Sequence, residues 1–173
     1  MNSIHLSREE EQRYTELQRL ALDSARIGRT ELLASMVRAG MPVNLCDEKG
    51  NSLLMLAAYH GHTETAHMLL AHGADIDRRN DHGQTPLGGV AFKGNFSLVK
   101  LLHMSGADIN ADNGGGKTPL MFAAMFGHRK IVEYLIAAGA DPDSQTLLGV
   151  SAESIARITG AFRSLGSLFS GKK

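Results

Sequence analysis

Apolar residues in this chain gather in short clusters with helical spacing, and the clusters recur. One set reads Met68-Leu69-Leu70, then Leu98-Val99 with Leu101-Leu102, then Ile131-Val132 with Leu135-Ile136. Positions i, i+3 and i+4 mark the buried face of an amphipathic helix. A second set lies upstream of each, from Leu53-Leu54 to Ala57-Ala58, from Leu87 to Val90-Ala91, and from Leu120 to Ala123-Ala124. Ser52, Thr85 and Thr118 precede these runs. Their side-chain oxygens can accept a free amide at a helix start. Pro86 and Pro119 follow at the first helical position, where proline forfeits no hydrogen bond. Each unit therefore predicts two short helices, with small residues on the first that let the next unit approach closely.

Glycines punctuate the pattern in three series. Gly28, Gly61, Gly94 and Gly127 fall between the two helices. Gly40, Gly73, Gly106 and Gly139 end the second helix, and Gly50, Gly83, Gly116 and Gly149 lie in the turn beyond it. All three series share a period of 33 residues and take 12 of the 19 glycines. Self-similarity at this length is the signature of one supersecondary unit stacked several times. Gly73-Ala74-Asp75-Ile76-Asp77, Gly106-Ala107-Asp108-Ile109-Asn110 and Gly139-Ala140-Asp141-Pro142-Asp143 lead from one unit to the next. Asp and Asn suit such turns because they bond to nearby backbone.

These glycine, Thr-Pro-Leu and helix signals resemble the ankyrin-repeat family over roughly residues 17–165. The resemblance implies an all-α solenoid of helix-turn-helix units, joined by β-turn or hairpin loops, with helical caps at both ends. Residues 1–173 then form one domain: a capping helix at 1–24, a degenerate first repeat at about 17–49, full repeats at 50–82, 83–115 and 116–148, and a second cap at 149–169. Ser7 and Glu10 have capping-box spacing, and Tyr14, Leu17 and Leu20-Ala21 supply an apolar stripe for the first cap. Gly149 to Ala156 repeats the first-helix pattern, and Phe162, Leu165 and Phe169 would complete a helix pair before a frayed tail at 171–173. One departure is consistent. Where the family often has a histidine after Thr-Pro-Leu, this chain has Met55, Gly88 and Met121, so that residue's usual hydrogen bond is expected to be missing.

Composition narrows the function classes. With 173 residues and 43% hydrophobic content the chain can bury a continuous core. Lys plus Arg and Asp plus Glu both number 18, an even balance that argues against general nucleic-acid binding. Cys46 is the single cysteine, so no internal disulfide can form and a reducing compartment is expected. No apolar run approaches the ~20 residues of a membrane helix, and the polar start with Glu9-Glu10-Glu11 is unlike a secretory signal. A cytoplasmic monomer without membrane association is the expectation.

In the family, turn tips and inner helices line a concave face where partners bind. Carried through the register, the tips here hold Glu48, Lys49 and Asn51, then Asp81, His82 and Gln84, then Gly114, Gly115 and Lys117. The ends of the inner helices hold Tyr59-His60, Phe92-Lys93 and Met125-Phe126. Three aromatics and a methionine line up where a solvated surface would carry charge, and aromatics are enriched in interface cores. Two readings stay open: an exposed docking stripe, or packing against the neighbouring unit. Lys93 and Lys117 with Glu48 and Asp81 would form a charged rim that tunes specificity and encounter rate.

Other features weigh less. Gly88-Gly89 sit inside a helix at a cost of roughly 1 kcal/mol each against alanine. They read either as a soft or closely approached site for a ligand, or as drift compensated by Phe92 and Phe96. Gly114-Gly115-Gly116-Lys117-Thr118 imitates a phosphate loop, but that loop's first glycine would fall at Ala111. His60 and His62 straddle a turn, the zinc-protease spacing is absent, and His62 and His128 hold a position where the family uses histidine for structural hydrogen bonds. No nucleophile-elbow motif is present, and Asp75, Asp108 and Asp141 recur at one repeat position, as structural residues would. The expectation is a non-enzymatic adaptor, without cofactor or metal, that binds another protein through the concave surface. An inhibitor or immunity-type protein blocking one enzyme is the alternative, and a sensor of nucleotide or other small ligand the more distant one.

Overall fold

The computed structural model of the chain describes residues 7–159. The segments predicted to hold Phe162, Leu165, Phe169 and the tail at 171–173 lie outside the described residues.

Helices come in pairs. α1 (Arg8–Ile27) is followed by α2 (Thr30–Arg38), α3 (Leu53–Tyr59) by α4 (Thr63–Ala71), α5 (Pro86–Lys93) by α6 (Phe96–Met104), and α7 (Pro119–Met125) by α8 (Arg129–Ala137). α9 (Ala152–Thr159) ends the described chain. The first members of each pair stack as one layer, α1 on α3 on α5 on α7 on α9. The second members form another layer, α2 on α4 on α6 on α8. Among the described residues the only β pairing is two isolated bridges, Cys46 with Ser52 and Gln145 with Ser151, which pinch turns between units. The result is the all-α solenoid of stacked helix pairs that the resemblance implied.

Helix starts follow the residue types. The hydroxyls of Ser52, Thr85 and Thr118 accept the amides of Met55, Gly88 and Met121 at 3.1, 3.2 and 3.4 Å. Leu54, Leu87 and Leu120 of the inner layer share one core with Leu69, Leu102 and Leu135 of the outer layer, all but inaccessible to water. Each such leucine contributes about 2 kcal/mol of transfer free energy. Ala57, Ala58, Ala91, Ala123 and Ala124 are buried at the contacts between successive inner helices, where a missing side chain permits close stacking.

α1 departs from the repeat. Ser7 caps it through a reciprocal box with Glu10, whose carboxylate accepts the Ser7 amide at 2.7 Å. It runs 20 residues where the other helices run seven to nine. Only its C-terminal part is buried, through Ala21, Ser24 and Ala25, while Tyr14, Leu17 and Leu20 are exposed. The apolar stripe expected to pack as a cap therefore packs only from Ala21 onward. The earlier turns have no inner helix beneath them, because the unit they would rest on starts its own helix at Leu53.

Turns carry a second repeated device. The side chains of Asn44, Asp77 and Asn110 accept the amides of Asp75, Asp108 and Asp141, 31 residues on. At the hinge between paired helices, the His62 and His128 rings bond to the Arg26 and Phe92 carbonyls at 2.8 and 2.9 Å. These rings lie against Gly28 and Gly94, which have φ of 76° and 77°. A Cβ there would come within 2.5 Å of the imidazoles. Asn95 holds the equivalent position one unit earlier than His128 and instead caps α6 through the Leu98 amide.

Candidate partner-binding surface

The last turn of each inner helix contributes one side chain to a column across the face: Arg26, Tyr59, Phe92 and Met125, each 33 residues after the one before. Tyr59 is 38% exposed, Met125 43% and the adjoining Phe126 48%, with Phe92 half-buried among them. The rings also touch. Tyr59 stacks on Phe92 at 6.5 Å between centroids, and Phe92 meets Phe126 at 4.5 Å and Phe122 at 6.2 Å, edge to face. The aromatic column thus packs along its length and still presents one side to solvent.

Half of this face is hollow. A groove of about 1090 Å³ opens between α1 on one side and the turn tips on the other. Its α1 wall is Gln18, Arg19, Leu22 and Arg26, its tips are Glu48, Lys49, His82 and Gln84, and its floor is Met55, Leu56, Tyr59, Gly89 and Phe92. Eight of the residues expected at a partner site come together here: Glu48, Lys49, Asn51, Tyr59, His60, His82, Gln84 and Phe92. Lys93 stands beside it with Nζ 5.1 Å over the Tyr59 ring, a cation–π contact. Asp81, Lys117, Met125 and Phe126 lie outside the groove.

The α1 wall lies outside the sequence expectation, in which this helix is a cap. The register would have found it. Counting back 33 residues from Ser52, Met55 and Tyr59 gives Arg19, Leu22 and Arg26.

Electrostatics at the wall centre on Arg26, which bridges Asp23 at 2.9 Å and Asp47 at 2.8 Å. Burial by itself would raise the Asp47 carboxyl. Hydrogen bonds from the Asn51 side chain and amide, the Lys49 amide and Arg26 outweigh it, and Asp47 titrates below the usual carboxylate range. His60 is held below the ordinary histidine value, first by burial and then by the charges of His62, Arg26 and Lys93. Its ring meets Tyr59 edge-on at 5.7 Å.

A model of ankyrin repeats in three copies matches residues 21–113 and 77–146, the span of the stacked helix pairs just described. The chain belongs to the ankyrin-repeat family. A Pseudomonas aeruginosa protein named as an ankyrin repeat protein is 51% identical over 39 residues, a stretch covering 22% of this chain and 23% of that protein. Ankyrin repeats are generally protein–protein interaction modules.

Within this ankyrin array the glycine pair resolves into two different features. The space above Gly88 is filled by Asn113 from the next turn. Its Oδ1 accepts the Thr85 amide at 2.8 Å and the Thr85 hydroxyl at 3.0 Å, and its Nδ2 donates to the Ala111 carbonyl. Asn113 is 1% exposed, and a Cβ on Gly88 would overlap its amide. Gly88 is therefore neither a ligand contact nor drift offset by Phe92 and Phe96. Its missing side chain admits a buried polar link between units, at a position where the family often has histidine. Gly89 faces the groove, and a Cβ there would have Met55 Sδ at 3.4 Å and Tyr59 Cδ2 at 3.5 Å.

With Asn113 turned inward, Asp112 shapes the third tip. Its Oδ1 accepts the amides of Gly114 and Gly116 at 2.9 and 2.8 Å. Those are amides a bound phosphate would need, and an internal carboxylate already occupies them. Among the described residues, no helix is long and apolar enough to cross a membrane.

Proposed function

We propose that the chain is a non-enzymatic ankyrin module that acts by occupancy, binding another protein across the inner-helix face with the groove as its centre. The observation that carries this reading is the aromatic column. Tyr59, Phe92 and Phe126 hold one another in place across three units while keeping area exposed. Rigid aromatics with little rotamer entropy to lose are the side chains that dominate binding energy at interfaces. Charged groups ring the groove rather than line its floor, the arrangement of an apolar centre with a polar rim.

Affinity capture from the native extract tests it, with the natural chain run beside Tyr59→Ala and a control at exposed Glu64 on the opposite layer. A partner retained by the natural chain and by Glu64→Ala, and lost with Tyr59→Ala at unchanged melting temperature, is the expected result. A partner retained by Tyr59→Ala and lost with Glu64→Ala would move the site to the outer helices and end this reading.

A further inference from the structure

We infer that Asn113-Gly114 is a site of spontaneous isoaspartate formation, closed by the fold and opened whenever the third turn tip loosens. It is the only Asn-Gly pair in the chain. The reaction needs a backbone nitrogen that can reach the carboxamide before it, and a glycine leaves that approach unobstructed. At the corresponding positions of the first two tips, Asp47 precedes Glu48 and Asn80 precedes Asp81, whose side chains crowd the nitrogen. The third tip has both reactive residues for structural reasons. Gly114 has φ of 92°, and a Cβ on it would lie 2.8 Å from the His82 carbonyl oxygen. Asn113 is required by its buried link to Thr85 and Ala111. Packing between units thus places a chemically labile pair at the seam it holds together.

Two features keep the pair unreactive in the native state. Asn113 is buried, and its carboxamide accepts twice at Oδ1 and donates once from Nδ2, so Cγ cannot swing toward the main chain. The nucleophile is engaged as well, because the Gly114 N–H donates to Asp112 Oδ1 at 2.9 Å. When the tip opens, the Gly114 nitrogen gives its proton to solvent hydroxide and attacks Asn113 Cγ. The Cγ–Nδ2 bond breaks, ammonia leaves, and a cyclic imide closes. Water then adds to either imide carbonyl and yields aspartate or isoaspartate. Neither product keeps the amide that donates to the Ala111 carbonyl, and in isoaspartate the main chain runs through Cβ. A local opening that would otherwise reverse therefore becomes a permanent loss of the link between the α5 and α7 units.

Incubating the full chain at mildly alkaline pH, in native buffer and in unfolding urea, tests this. Peptide mapping by mass spectrometry reads the amide-to-acid mass change and isoaspartate at residue 113. Conversion in urea, and at least tenfold slower conversion in native buffer, is the expected result. Gly88→Ala, whose methyl displaces the Asn113 carboxamide, should speed the native reaction at least about fivefold, the scale on which a modest stability loss raises an open population. Its rate in urea should match that of the natural chain. Converted chain returned to native buffer should unfold at lower urea than chain held in mildly acidic urea, where the nitrogen keeps its proton. No conversion in urea would overturn the site itself. Equal rates in native buffer and urea, or a native rate untouched by Gly88→Ala, would overturn the closure by the fold. Undiminished stability after conversion would overturn the loss of the link.

Discussion

The two halves of the inner face share a backbone and differ at one register position, Gly89 in one and Phe122 in the other. From α1 to α5 the face is a groove with Gly89 on its floor. From α5 to α7 the register position of Gly89 is held by Phe122, edge to face with Phe92 at 6.2 Å, and Phe126 packs on Phe92 at 4.5 Å. In a solenoid each unit touches only its neighbours. A single register position can therefore be emptied in one unit and filled in the next without disturbing the stack. Specialisation is local, and the fold tolerates it.

The sharpest test sits at the seam between the halves. Gly88→Ala should destabilise, although alanine favours a helix by about 1 kcal/mol. Its Cβ displaces Asn113 and strips the buried Thr85 amide and hydroxyl of their acceptor. Unsatisfied buried groups cost about 1–3 kcal/mol each, so a net loss of about 2 kcal/mol is expected in urea unfolding. Asn113→Ala should cost a similar amount, and the double variant clearly less than the sum. Additive losses would show that the glycine and the asparagine are not coupled.

On the groove side, Tyr59→Ala should weaken partner binding by roughly 2 kcal/mol, the scale of an interface hot spot. Met125→Ala, in the filled half, should cost no more than a few tenths of that loss. Titration calorimetry with a captured partner compares them, and equal losses would erase the distinction between the halves.

Gly89→Ala should do the opposite of Gly88→Ala. Its methyl meets Met55 and Tyr59 at ordinary contact distance, so the helix gains up to about 1 kcal/mol. Thermal melts of the two alanine variants should therefore shift in opposite directions.

The smallest effect lies in the turns behind both halves. Burial, with repulsion from Asp108 and Asp75, raises the Asp77 carboxyl above its ordinary value, and the Asp108 amide offsets this only in part. A raised folded-state value means the native state holds the proton more tightly than the unfolded chain. Stability from this group is therefore lost as pH climbs through the window between the two values, and regained on acidification. Asp77→Asn should flatten that slope and gain at most about 0.5 kcal/mol at neutral pH, since Asn44 and Asn110 already accept the equivalent amides. A steeper slope in the variant would contradict the assignment.

Much of the architecture was readable from local signals. Thr85-Pro86 and Thr118-Pro119 start helices through contacts three residues away, and Leu69, Leu102 and Leu135 mark a buried face by spacing within one helix. The aromatic column was readable too, as a register. The α1 wall is legible only by carrying that register back to Arg19, Leu22 and Arg26, since those residues by themselves resemble an ordinary amphipathic helix. The role of Gly88 was not readable, since its reason for being glycine is Asn113, 25 residues later.

The amino-acid order by itself settled the repeating unit, its helix boundaries and the side that each unit buries, since these depend on hydrogen bonds and apolar spacing within a few residues. Only the stacked structure decided which faces stay open, which charges are already partnered and what a missing side chain makes room for. Those outcomes turn on contacts between residues about 20 to 36 positions apart, whose distances exist only once neighbouring units are packed together.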